Sequence, residues 1–558
     1  MKARSRKQEI SGKALFVLLA LVNLTGVLAA CGGGSGGNPA YTIGGGVSGL
    51  NTSGLILANG TATVQVASNA SSFEFATPLV MGAAYAVTIQ AQPAGQTCLI
   101  NDGTGVVAAA AVNGVKISCT GPWSWSSGSE TKGAAGVYGT RGVAAAGSVP
   151  GARAGAVSWT DSAGNLWLFG GAYIDANGND FYLNDLWRYT PSNGLWTWMS
   201  GASTPSAVYG TPGNYGVQGV ASASNAPGSR AGAVSWTDAA GRFWLFGGHG
   251  YDSSNVGYLN DLWKYDPTTG EWTWVGGPSS SSPPTAVYGT QGVAATANVP
   301  GPRLGSVSWI DGSGNLWLFG GYGDVSNASP YTFGLLNDLW EFSPTTGKWT
   351  WVSGSNTVNA AGVNGTLGMA ASANEPAARA AAGSWIDSSG SLWLFGGGAF
   401  GGFLNDLWKF MPSTNQWTWM SGGNAPNALG VYGTQGTAAA TNVPGSRSPA
   451  AFWIDAAGNF WLFGGSGISA PQTSDLFNDL WVFTPATGQW TWVSGSSSGG
   501  AAGVYGTLGS AAPGNVPGAR DGAATWIDGA GNLWLFGGAS DANPLAGGEL
   551  NDLWQYRH

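Results

Sequence analysis

Few side chains in this 558-residue sequence are of a type that does acid, base or metal chemistry. Charged residues make up 9% of it, and the histidines are two, His249 and His558. Asp252, Asp324, Glu375 and Asp521 are raw material for a hydrolase that works through paired carboxylates, yet no spacing singles out a pair. Asp175, Asn177, Asn179 and Asp180 form an oxygen-rich run of the kind that holds calcium. The run lacks the glycine and terminal glutamate of an EF-hand loop and reads instead as a solvated turn. Of the three cysteines, Cys31 belongs to a leader described below, and Cys98 and Cys119 lack the further ligands that zinc requires. As an even pair flanking β-like segments, Cys98 and Cys119 are expected to form a disulfide, two buried free thiols being the alternative. The sequence assigns no catalytic residue, no metal and no cofactor.

Repetition carries more information than any of these groups. Arg153, Arg230, Arg303, Arg379, Arg447 and Arg520 each open an apolar strand, and Asp185, Asp261, Asp338, Asp406, Asp479 and Asp552 recur in a later one. The arginines either ring a channel mouth and bind an anion, or pair with these aspartates or with loop carbonyls. Unvarying recurrence favours the structural pairing, because binding sites usually break symmetry. The breaks are His249 after Gly248, Glu375 where other copies have Val, Asn364 where others have Tyr, and Asp521 after Arg520.

The elements that position these residues are written in the tryptophans. All thirty fall on five positions of one repeating unit, twenty-eight of them from Trp159 to Trp554 and an orphan pair, Trp123 and Trp125, ahead of the first copy. In that copy a strand from Arg153 to Trp159 turns at Asp161–Asn165 into Leu166–Gly171. A variable loop then leads to Leu183–Tyr189, and a turn at Pro191–Gly194 leads to Leu195–Trp198. Leu166-Trp167-Leu168-Phe169 is apolar on both faces, so both faces must be covered, as they are when sheets stack side by side. The tryptophans are therefore read first as the packing between sheets, with carbohydrate stacking a minor alternative. The sixth copy ends after its third strand, and the orphan Trp123-Ser124-Trp125 completes it. Four strands per unit and six units closed by one N-terminal strand predict a ring, which leaves no open sheet edge at the ends of the array.

Ahead of the ring, residues 1–30 join Lys2, Arg4, Arg6, Lys7 and Lys13 to an apolar run, the layout of a secretory signal peptide. Leu28-Ala29-Ala30-Cys31 resembles the lipobox of bacterial lipoproteins, in which the cysteine is acylated; an ordinary signal or an uncleaved anchor is the alternative. By that resemblance Gly32, standing where an inner-membrane lipoprotein has aspartate, implies an outer-membrane destination. Residues 31–40 read as a flexible Gly/Ser tether and 41–120 as a small antiparallel β-sandwich domain. The ring is expected over 121–558. Five of the twenty basic and one of the twenty-eight acidic residues precede Cys31, which leaves the remainder near −12 and disfavours nucleic acid and anionic lipid as partners.

The Gly-Gly pair that ends the second strand, the aromatics of the third (Trp187, Tyr189) and the Trp of the fourth resemble kelch repeats, as in galactose-oxidase-type propellers. The resemblance implies an all-β, six-bladed propeller over 123–558. The pairs begin at 170, 247, 320, 396, 464 and 537, a longer period than the roughly 50 residues of kelch. The excess lies mostly in the connectors between units, around Val208-Tyr209-Gly210-Thr211 and its copies near Tyr138, Tyr288, Asn364, Tyr432 and Tyr505. The copper chemistry of galactose oxidase requires two histidines, two tyrosines and a cysteine in the propeller, which this sequence does not supply.

With both tight turns on one side, the second-to-third loops and the connectors are expected to share the opposite face and to carry function. A lipid anchor is then expected to hold that face outward. Its candidate binding residues are Tyr173, Tyr182, Tyr251, Tyr258, Tyr322, Tyr331 and Phe403, with Asn177, Asn179, Phe181, Phe333, Phe400 and Phe477 beside them. Tyr and Asn at low charge suit a glycan or protein surface. The expectation is a monomeric, lipid-anchored envelope module that binds a glycan or protein; a carbohydrate-active hydrolase and a structural subunit of an envelope complex are the alternatives.

Overall fold

The computed structural model describes residues 38–93, 96–121, 123–175, 177–203, 209–281, 286–326, 332–512, 514–540 and 548–557. The segment expected to be a signal peptide, Cys31, Tyr331 and His558 lie outside the described residues. The fold is all-β, with no helix among the described residues and a series of four-stranded antiparallel sheets compatible with a β-propeller.

The first repeat sheet orders its strands Val157–Thr160, Leu166–Phe169, Leu186–Thr190 and Leu195–Ser200, so chain order equals spatial order. The next four repeat sheets follow the same path, each preceded by a two-residue strand that begins with the repeat arginine. In the last sheet Trp123–Ser127 pairs antiparallel with Glu549–Tyr556, setting Trp123 opposite Tyr556 and Trp125 opposite Trp554. The two ends of the repeat array therefore meet in one sheet.

Neighbouring sheets are joined by buried apolar clusters. Trp159, Trp167 and Phe169 of the first sheet pack with Phe243, Trp263 and Trp272 of the second. Leu168, Trp187 and Trp196 pack with Trp526, Trp534 and Phe536 of the last. First-strand indoles bridge the same boundaries: Trp159 Nε1 donates to Trp244 O at 3.2 Å, and Trp526 Nε1 donates to Trp167 O at 2.9 Å. A second cycle runs through the backbone. Gly232 N–H donates to Gly155 O, Gly305 to Gly232, Ala381 to Gly305, Gly522 to Pro449 and Gly155 to Gly522. Pro449 has no N–H to give, and the Ser448 hydroxyl reaches Ala381 O at 3.0 Å in its place.

The Gly-Gly pair is dictated by crowding. A Cβ on Gly170 would lie 2.7 Å from Arg230 O, and φ is +67° there, a left-handed conformation that glycine adopts without penalty.

The connectors depart from expectation. They do not collect on the loop face but fold into hairpins that run down the outer edge of each sheet. Val137 bridges Val149 within one such hairpin, Ala145 bridges Trp196, and Gly142 N–H donates to Trp198 O at 2.8 Å. The pattern recurs at Gly219, Gly292, Gly368, Gly436 and Gly509, the last on Trp125. The physical reason is the outer edge itself. A fourth strand left bare would expose unpaired backbone groups, and the added length of each repeat supplies their partners.

Residues 38–121 form two further four-stranded sheets around a shared core that includes Ile43, Leu57, Phe75, Val115 and Ile117. They are not wholly antiparallel, since Val112–Thr120 runs parallel to Ile43–Ser48. Cys98 and Cys119 form a disulfide across paired strands. This unit meets the repeat sheets through Thr97 Oγ1, which donates to Val493 O, and through Gly121 N–H, which donates to Arg557 O at 2.7 Å.

Candidate functional site

The repeat arginines and aspartates form a buried network. Arg153 donates to both carboxylate oxygens of Asp185 at 2.7 and 2.8 Å and to Gly170 O at 2.9 Å. Trp187 Nε1 and the Tyr138 hydroxyl donate to the same Asp185 oxygen at 2.7 Å. The arginine–aspartate pair recurs in all six repeats. Burial opposes charge on both partners, but the ion pair prevails: the Arg153 pKa is raised and the Asp185 pKa lowered. With the guanidiniums enclosed in this way, little of them is left to face an incoming anion.

The connector tyrosine was partly misread from sequence. In the first connector the side chain that reaches the network is Tyr215, whose hydroxyl donates to Asp261 at 2.6 Å. Tyr209 is 46% exposed with φ +75°. The Val-Tyr-Gly-Thr match at 208–211 was a decoy, and Asn214-Tyr215-Gly216 holds the structural position. At Asn364 the tyrosine is replaced, so Asp406 takes its bonds from Arg379 and Trp408 alone.

One step beyond this network, toward the loop face, each sheet presents a row of three residues fixed by register. The row follows the arginine across the second strand to the residue before Leu/Phe-Asn-Asp. In the first sheet it is Ala154, Ala172 and Tyr182. In the second it is Ala231, His249 and Tyr258, and in the third Leu304, Tyr322 and Leu335. The fourth and fifth read Ala380, Gly398, Phe403 and Ser448, Ser466, Leu476. The last reads Asp521, Ala539 and Glu549. Five rows are neutral and one is doubly acidic.

Three rows converge on an aromatic arc. Tyr182 Oη shares a 2.9 Å hydrogen bond with His249 Nδ1, and His249 meets Tyr258 edge-on with ring centres 4.8 Å apart. Tyr258 in turn packs on Tyr322 at 5.8 Å and Phe333 at 4.9 Å. Burial lowers the His249 pKa and, with Asp180 beside it, pushes that of Tyr182 up to about 12, so both are neutral near pH 7. An uncharged, partly exposed aromatic wall is suited to stacking on a sugar ring or an apolar side chain.

The remaining sequence candidates scatter. Tyr173 stacks on Phe181 at 5.2 Å within the hairpin of the first repeat, away from the arc's edge contacts. Tyr251 pairs with Val256 through the backbone, and Phe403 N–H donates to Asn427 Oδ1. Phe477, expected at a loop tip, is buried under the Arg447 guanidinium at 4.6 Å. Its strand runs to Thr473 before the turn, which carries it below the surface. The Asp175 carboxylate accepts the N–H groups of Asn177 and Asn179. Asp252 is consumed by the N–H groups of Ser254, Asn255 and Ser281, and Asp324 accepts from Ser326. Glu375 lies on a connector, backbone-paired with Val363.

Sequence reasoning flagged Asp521 and missed its partner. Glu549 faces the same side of the sheet across Ala539, is 6% exposed, and its Oε2 has no hydrogen-bond partner among the described residues. Burial, with Glu549 nearby, pushes the Asp521 pKa up to about 7, and burial raises that of Glu549 as well. The signal that could have found Glu549 is its alignment against Tyr182, Tyr258, Leu335, Phe403 and Leu476.

The central cavity, about 470 Å³, opens toward the other end of the inner strands. It is lined by Ser158, Thr160, Trp159 and their counterparts, with no titratable side chain among the described residues. A scan of the chain against models of known protein families finds no match.

Proposed function

We propose that the chain is a six-bladed, kelch-like β-propeller closed by Trp123–Ser127, preceded by a small β-sandwich domain and anchored by lipid at Cys31 in the bacterial outer membrane. It acts as a monomeric binding module whose loop face receives a glycan or protein. The observation that carries this reading is the contrast between levels of the same sheets. The arginine–aspartate network repeats in all six sheets, while the row directly above it differs in every one. A framework held constant beneath a variable rim is the arrangement expected of a recognition surface on a rigid scaffold. The aromatic arc at Tyr182, His249, Tyr258 and Tyr322 supplies the stacking surface.

The test is a glycan array and an envelope pull-down with the full chain in detergent, beside Tyr182→Ala/Tyr258→Ala. Binding by the parent that falls at least tenfold in the folded variant supports the loop face as the recognition surface. Binding that the variant retains in full places the ligand elsewhere and overturns the reading.

A further inference from the structure

The acidic row of the last repeat sheet has no counterpart in the other five. At the Asp521 position the others carry Ala154, Ala231, Leu304, Ala380 and Ser448, none of which titrates. The Glu549 position is apolar or tyrosine in every other sheet. Two carboxyl groups thus replace neutral side chains within a single row, on either side of Ala539.

This substitution is costly to the fold. A buried carboxylate without a compensating partner loses its hydration and gains nothing in return. The repeat aspartates solve that problem with arginine, whereas the Glu549 carboxyl, 94% removed from solvent, is helped only by backbone N–H groups of Ile174 and Glu549, and its Oε2 has no hydrogen-bond partner among the described residues. Its surroundings add to the difficulty, because Asp180 on the first repeat's hairpin contributes further negative charge. The same hairpin, through Tyr182, forms one end of the aromatic arc. A group that carried positive charge and several N–H donors would satisfy both carboxyl groups together, and an aromatic wall beside it favours cations and sugar faces alike.

We propose that Asp521 and Glu549 form a subsite for the ammonium group of an amine-bearing saccharide, whose neighbouring rings lie toward the Tyr182–His249–Tyr258 arc. The assignment rests on the glycan reading above and narrows it to glycans with free primary amines. The ammonium donates hydrogen bonds to Glu549 Oε2 and to the Asp521 carboxylate; no covalent step is involved.

The experiment compares three tetrasaccharides that share a β-1,4-linked backbone and differ only at C2, carrying an amine, an acetamide or a hydroxyl. Each is titrated calorimetrically into the full chain at pH 7.5, into Asp521→Asn/Glu549→Gln, and into Tyr182→Ala/Tyr258→Ala. The isosteric acid variant removes unpaired charge and is expected to fold at least as well as the parent. The expected result is a preference for the amine of about tenfold or more, abolished in the acid variant. Equal binding of all three sugars, lost only in the aromatic variant, overturns the ammonium subsite and leaves the glycan reading standing. Amine preference that survives in the acid variant also overturns it. Failure of the parent to bind any of the three sinks the subsite together with its β-1,4-glycan context. Release of reducing ends from the tetramers, dependent on the same two residues, would reassign the pair to catalysis.

Discussion

Asp185 accepts four hydrogen bonds on one fully buried carboxylate, two from Arg153 and one each from Trp187 and Tyr138. Removing it strands a guanidinium in the interior, so Asp185→Ala is expected to cost about 3 to 5 kcal/mol. Tyr138→Phe removes one of the four donors and should cost about 1 kcal/mol. Urea midpoints followed by tryptophan fluorescence would rank the two; equal losses would contradict a network centred on the ion pair. Asp521 behaves in the opposite sense. Its folded-state pKa of about 7 lies above the usual carboxylate range, so the folded state favours the protonated acid. The stability that Asp521 itself contributes is therefore fully present below about pH 4 and is lost as the pH rises through 7. Asp521→Asn should raise stability by about 1 to 3 kcal/mol at pH 8 and leave it unchanged at pH 4. A gain that is the same at both pH values would show that titration is not its source.

The connector hairpins explain at the element scale why each repeat is longer than a minimal four-stranded unit. In four of them a buried asparagine pins the tip, as where Asn374 Nδ2 donates to Met369 O at 2.8 Å and to Trp417 O at 3.0 Å, tying the hairpin to the outer strand. Asn374→Ala should cost about 1 to 3 kcal/mol and speed amide exchange selectively along Gln416–Ser421. Uniform exchange would mean that the hairpin does not protect that edge. The fourth repeat offers the reverse test, because Asn364 leaves Asp406 without the phenol that the other repeats provide. Asn364→Tyr is expected to gain about 0.5 to 2 kcal/mol by restoring that bond and a ring against Trp408. The hairpins themselves were legible only as excess length. Their destination depends on which backbone groups are left unpaired once the sheets have formed.

Closure is a property of the whole molecule. Trp123 packs between the last two repeat sheets, against Phe463 and Tyr556, although it stands more than 400 residues from Tyr556 in sequence. If that strand is integral, Trp123→Ala should cost about 3 to 5 kcal/mol, as for an interior Trp such as Trp196. A loss below about 1 kcal/mol would mark a frayed end and count against a closed ring. The all-β class and the four-strand pattern were legible because they depend on local alternation and on turns that repeat. The arc and the acidic pair were only half legible. Tyr182, Tyr258 and Asp521 stood out by type or by broken symmetry, while Glu549 looked like an ordinary loop acid.

The sequence by itself determined the strands, their order within each unit, the burial of the tryptophans and the cysteine pairing, because each follows from short-range periodicity or from residue type. Tertiary structure alone decided which residues share a row. That sharing depends on register, and the register is shifted at the Gly-Gly pair, where Phe536 faces Leu553 but Gly538 faces Leu550. The shift aligns Asp521, Ala539 and Glu549 across three strands. It also brings two carboxyl groups into one row on either side of Ala539, and desolvation, which no linear pattern expresses, raises the pKa of both.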